Sequence, residues 1–199
     1  MRDRPIIVWR ACALIAALMA SGCARAERSA PLAACTAEAT DAAVVDQVLL
    51  AWLSKARTLH HLADLAEGDG SPDRAMASLE QLVGGVLPPG QPAEAIEVMA
   101  DTYARLAELR ARGGDYERAD RDVGAGLELA PGSTYFRGHL LEVRGLVYEK
   151  QSAELEKAGR AADAKQARVK ALSASLEAVR IQDEVIKNAL GDGGPATRE

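Results

Sequence analysis

The chain has 199 residues, of which 48% are hydrophobic, 4% aromatic and 27% charged, with a net charge of −5. That length supports one domain with a real core, and that hydrophobic content excludes a chain disordered by composition. The acidic balance argues against a nucleic-acid partner, because phosphate binding needs a basic face. Ala, Leu, Glu and Arg are abundant, and no stretch alternates apolar and polar residues over a strand's length, so the expected class is all-α.

Arg2, Arg4 and Arg10 precede an apolar run, Ala11–Ala20. The run is too short to span a bilayer and has the length of a signal-peptide core. It leads to Ala20-Ser21-Gly22-Cys23. Those four residues resemble the lipobox of bacterial lipoproteins, in which small residues precede the cysteine that takes the lipid. Ser21 and Gly22 fit; Ala20 departs, since Leu is usual there. The resemblance implies a signal peptide over residues 1–22, lipidation at Cys23 and a palmitate-bearing membrane anchor. Ala24 in the next position implies outer-membrane sorting with the domain facing the periplasm. Ala24-Arg25-Ala26 offers an ordinary secretory cleavage instead, which would give a periplasmic protein without an anchor. Removing residues 1–22 takes two net positive charges from the chain and leaves −7. Residues 23–40 are mostly small and read as a tether. Cys35 stands alone in it, so no intrachain disulfide framework is expected, and only an intermolecular bridge could use it.

From Asp41 the apolar pattern turns helical. Val45, Val48, Leu49, Trp52, Leu53, Ala56, Leu59 and Ala63 follow the i, i+3, i+4 spacing of one buried stripe. Gly68-Asp69-Gly70 stops this helix, and Ser71-Pro72 starts the next. Its inner face is Ala75, Leu79, Leu82 and Val83. A second pair begins near Gln91-Pro92, with Ile96, Met99, Tyr103, Leu106 and Leu109 on its first stripe. It turns at Gly113-Gly114-Asp115 and continues through Tyr116, Ala119, Val123, Leu127 and Leu129 to Ala130-Pro131-Gly132. A third pair begins near Ser133, with Leu140, Val143, Leu146, Val147 and Leu155, and turns at Gly159. Tyr135-Phe136 at its start reads as packing between units. The final helix, about Ala161–Leu190, is expected to pack through Leu172, Leu176, Val179, Ile186 and Leu190. Leu172, Val179 and Ile186 are seven apart, which admits self-association into a homo-oligomer. A capping helix with a polar outer face is the preferred expectation. Residues 191–199 read as a loose tail.

One phrase recurs at these turns: Gly70–Ala75 (GSPDRA), Gly114–Ala119 (GDYERA) and Gly159–Ala164 (GRAADA). The glycines lie 44 and 45 residues apart. A fixed period of this size marks stacked helix pairs, since each pair has apolar surface it cannot bury alone.

Residues Ala100–Ser133 resemble one tetratricopeptide repeat. Tyr103, Leu106 and Ala107 fall where that family packs its first helix. Gly114-Asp115-Tyr116 matches its turn, Ala119 its close-contact small residue and Pro131 its closing proline. Arg110 stands where an aromatic is usual, and Gly126 where Ala is usual. The units at Leu59–Pro88 and Tyr148–Leu176 match more loosely, and the family's period is about 34 residues, not 44 or 45. The resemblance implies a short right-handed α-solenoid of three antiparallel helix pairs over residues 41–190, closed by the long last helix. It also implies a partner surface along the first helices, where Asp101, Ala104, Glu108 and Arg112 would point. These residues are unlike the basic, Asn-bearing clamp that some relatives use for acidic C-termini.

Chemistry is scarce. His60 and His61 are adjacent on a helix and point about 100° apart, so they do not share one ion easily. No G-x-S-x-G elbow or phosphate loop is present. The sequence therefore implies no catalytic, metal or cofactor site. It implies an adaptor or scaffold in the cell envelope that binds an unidentified envelope protein.

Overall fold

The computed structural model describes residues 46–191. Cys12, Cys23, Cys35, the tether and the tail beyond Gly191 lie outside them, as does Val45. The described residues form six helices and no strand. These are α1 (Gln47–Gly68), α2 (Pro72–Val83), α3 (Ala93–Arg112), α4 (Tyr116–Leu129), α5 (Tyr135–Lys157) and α6 (Ala161–Leu190). None is long and apolar enough to cross a membrane.

The repeated phrase is a repeated corner. Gly70, Gly114 and Gly159 all have positive φ, at 68°, 83° and 73°. After each, the chain sends an N–H back to a helix carbonyl: Ser71 to Ala66 (2.8 Å), Asp115 to Arg110 (2.9 Å) and Arg160 to Leu155 (2.8 Å). Each is the closing bond of a glycine C-cap, which satisfies a carbonyl the helix leaves orphaned. The small residue five positions on, Ala75, Ala119 or Ala164, is buried in each case. Asp115 also accepts a bond from the Arg118 N–H at 3.2 Å, capping α4.

Helices join in pairs, α1 with α2, α3 with α4 and α5 with α6. Across pairs, α3 touches α1, α2 and α5, and α4 touches α5. Covered on several sides, α3 buries residues all round, from Ala95 to Ala111. Leu106 and Leu109 pack with Ala63, Ala66, Ala75 and Leu79. Ala104 and Ala107 pack with Ala119, Val123, Leu140 and Val143. Tyr103 is half-buried between two such clusters, and Tyr116 lies against the second. Pro131 is exposed in the loop between α4 and α5. The long spacing has two sources: first helices of 22, 20 and 23 residues, and a connector from Gly84 to Pro92 between α2 and α3.

Several expectations fail, among them Leu146, expected among the apolar positions of α5 but 42% exposed. Val48, expected on the α1 stripe, is exposed; burial begins at Ala56. Phe136 packs on the core, but its neighbour Tyr135 is 61% exposed. The largest departure is α6. Its buried face is Ala164, Ala167, Ala171, Ala174, Ala178 and Ile181. Leu172, Leu176, Val179, Ile186 and Leu190 are exposed instead. The reason lies on α5, where Gly138, Gly145 and Ser152 face α6. A Cβ on Gly145 would sit 2.5 Å from Ser175 Oγ, and one on Gly138 3.1 Å from Gln182 Cγ. Ser152 Oγ donates to the Ala164 carbonyl at 2.9 Å. Two backbones this close leave room for alanine along most of the face, with Ile181 the one larger residue, beside Gly138, so the other large side chains turn outward.

Candidate functional site

A polar cleft of about 300 Å³ opens along the first helices. It is lined by Glu67 of α1, Asp101, Arg105, Glu108 and Arg112 of α3, and His139 of α5. The spacing on α3 sets this up: positions 101, 105, 108 and 112 recur at i+4, i+3 and i+4, so they share one helix face.

The sequence expected Asp101, Ala104, Glu108 and Arg112 here. Three of them line the cleft. Ala104 does not; it is fully buried in the core against α4 and α5, because those helices cover that side of α3. Arg105 takes its place and was not singled out, although it lies one turn from Asp101. Glu67 and His139 come from distant parts of the chain, and no local pattern marks them.

The cations of the cleft are already matched. Arg105 donates to Asp64 at 2.6 Å and to Glu67 at 2.7 Å. Arg112 pairs with the other oxygen of Glu67 at 2.5 Å. The bond from Arg105, followed by that from Arg112, holds the Glu67 carboxyl below its usual range against the opposing effect of burial. Asp101 and Glu108 make no ion pair among the described residues. The cleft therefore presents two uncompensated carboxylates beside a neutralised Arg–Glu–Arg cluster.

Beneath this lies His60. Its Nε2 is 2.9 Å from Thr102 Oγ1, and that hydroxyl donates to the Val98 carbonyl at 2.6 Å. Burial first, with Arg105 adding to it, pushes the imidazole below its usual pKa against the pull of Asp101 and Asp64. His60 thus ties α1 to α3 as a hydrogen-bonding group. No group of three metal-ligating side chains occurs among the described residues.

Glu108 and Arg112 also line a second hollow of about 210 Å³ with Ala111, Val143, Leu146, Val147 and Lys150. Leu146 is 42% exposed there. The two hollows share residues, so one groove runs from an acidic end at Asp101 to an apolar wall on α5. An extended peptide could place an apolar side chain on Leu146 and a basic one between Asp101 and Glu108. Nothing in the groove supplies a nucleophile with an adjacent base.

The remaining repeat positions act structurally. Arg110, where the resembling family has an aromatic, pairs with Asp122 of α4 and with Glu80 of α2 at 2.7 Å. Gly126 is required by packing: an added Cβ would lie 2.7 Å from Leu140 Cδ2 and 3.1 Å from Tyr103 Cβ. Comparison with protein-family models, curated proteins and solved structures finds no match to this chain.

Proposed function

We propose that this chain is a lipid-anchored adaptor of the bacterial cell envelope, built as a short right-handed tetratricopeptide-like solenoid and without catalysis of its own. Its α1–α3–α5 groove holds a segment of another envelope protein, and that segment is basic with an apolar anchor. The observation that carries this reading is the pair of uncompensated carboxylates, Asp101 and Glu108, beside the apolar wall at Leu146. The three equivalent glycine corners support the repeat architecture. Cys23, after Ala20-Ser21-Gly22, supports the anchor, and Ala24 supports the outer membrane as its site.

Crosslinking in intact cells followed by mass spectrometry tests it. One envelope protein with a Lys- or Arg-rich segment should be captured by the wild type. An Asp101→Lys, Glu108→Lys double variant should lose it while keeping its melting temperature. Equal capture by wild type and variant would overturn the assigned face.

A further inference from the structure

The outward face of α6 carries a heptad seam with one polar break. Val169, Leu172, Leu176, Val179, Ile186 and Leu190 are each between 53% and 77% exposed. Their spacing is 3, 4, 3, 7 and 4 residues, and Asp183 occupies the position inside the gap of seven. This is the a/d pattern of a two-stranded coiled coil sustained over three heptads, about 30 Å of helix. It is also a second seam. The alanine face of the same helix repeats at 3, 4, 3, 4 and 3 from Ala164 to Ile181 and is already used against α5. Among the described elements α6 packs along α5 alone, so no described element covers the outer seam.

We infer that the outer seam of α6 binds α6 of a second copy of this chain, making a two-fold dimer. The area fits. The six side chains bare roughly 600 Å² of apolar surface, the upper end of what monomeric proteins leave exposed. With the flanking residues, this approaches the about 800 Å² that each partner contributes to a standard interface. The pattern also fits a helix better than a lipid surface. A bilayer tolerates an unbroken apolar face, whereas Asp183 stands in the middle of this one. A single polar residue on a seam is the usual device for setting register between helices. The flanks carry Lys187 together with Arg168 and Arg180, which pair within the chain with Glu156 at 2.7 Å and Glu184 at 3.5 Å, so a partnering helix brings cations to the edges of the seam. An antiparallel pairing keeps the two Asp183 side chains apart, while a parallel one would stack like charges in the seam. The seam shares no residue with the α1–α3–α5 groove, so the dimer is independent of the adaptor reading.

Sedimentation of the full chain, in detergent and reducing agent, tests the dimer without any contribution from its cysteines. The wild type should sediment at twice the chain mass. A Leu176→Glu, Val179→Glu variant should sediment as a monomer with unchanged helical circular dichroism. Asp183→Leu completes the seam and should tighten the dimer by at least about tenfold, since it removes a buried carboxylate. A monomeric wild type, a dimer that survives the double substitution, or a dimer weakened by Asp183→Leu would each overturn the inference. So would a wild type that stays monomeric yet binds anionic phosphatidylglycerol vesicles through the same residues.

Discussion

Arg110 of α3 reaches across the corner to Asp122 of α4, and both side chains are largely shielded from water. The resembling family puts an aromatic at the first of these positions; this chain puts an ion pair there and extends it to Glu80 of α2. The pair links three helices at one point. Shielded ion pairs are expensive to break, because the partner left behind is a desolvated charge.

Arg110→Ala should therefore destabilise the domain by about 3 kcal/mol, through Asp122 stranded in the core. The double variant Arg110→Phe, Asp122→Ala restores an aromatic and removes both charges. It should recover most of that loss. Urea unfolding of the two variants against the wild type is the measurement, and a double variant no more stable than the single one refutes the substitution logic.

The same carboxylate sets a pH dependence. Burial, only partly offset by Arg110, raises the Asp122 pKa from 3.8 to about 6. Between those values the folded chain holds a proton that the unfolded chain has released. The Asp122 contribution to stability therefore falls as pH rises from 4 to 6, by at most about 3 kcal/mol. Glu67 acts oppositely and lower. Its pKa is depressed from 4.5, so its contribution is lost as pH falls below that value. Asp122→Asn should flatten the decline between pH 4 and 6 and leave the acid limb intact. Thermal melts across that range would show it.

Ala119 is fully buried where α4 meets α3 and α5. Ala119→Glu should cost several kcal/mol, on the order of 3–5, by burying an unpaired charge. Gly126→Ala should cost about 1–3 kcal/mol through overpacking against Leu140 and Tyr103. An unchanged melting temperature in either variant would sink the packing assigned to that corner.

Cys23→Ser should abolish palmitate labelling in a bacterial host and release the chain from the membrane fraction. Persistent labelling would refute the lipidation site.

Much of the helix layout was legible because its signals are local. Gly70, Gly114 and Gly159 mark corners that depend on a backbone conformation only glycine adopts cheaply, and Asp115 caps the helix beside it. The predicted last helix and the observed α6 share their bounds for the same reason, with Gly159 before it and Gly191 after it. The cleft was legible on one helix, where spacing aligns Asp101, Glu108 and Arg112. Its other walls, Glu67 and His139, arrive from helices whose relative placement no short window contains.

Periodicity failed where two faces of one helix both carry it. The α6 sequence has an alanine seam and a leucine seam, and hydrophobicity favours burying the larger side chains. The neighbour decides otherwise: Gly138, Gly145 and Ser152 bring the α5 backbone so near that alanine fills all of that face but Ile181. Composition, corner chemistry and helix bounds were thus determined by the sequence alone, being properties of a few adjacent residues. Which face of α6 is buried, which cations of the groove are neutralised and which carboxylates stay uncompensated were decided by tertiary contact, because each depends on the distance between residues far apart in the chain.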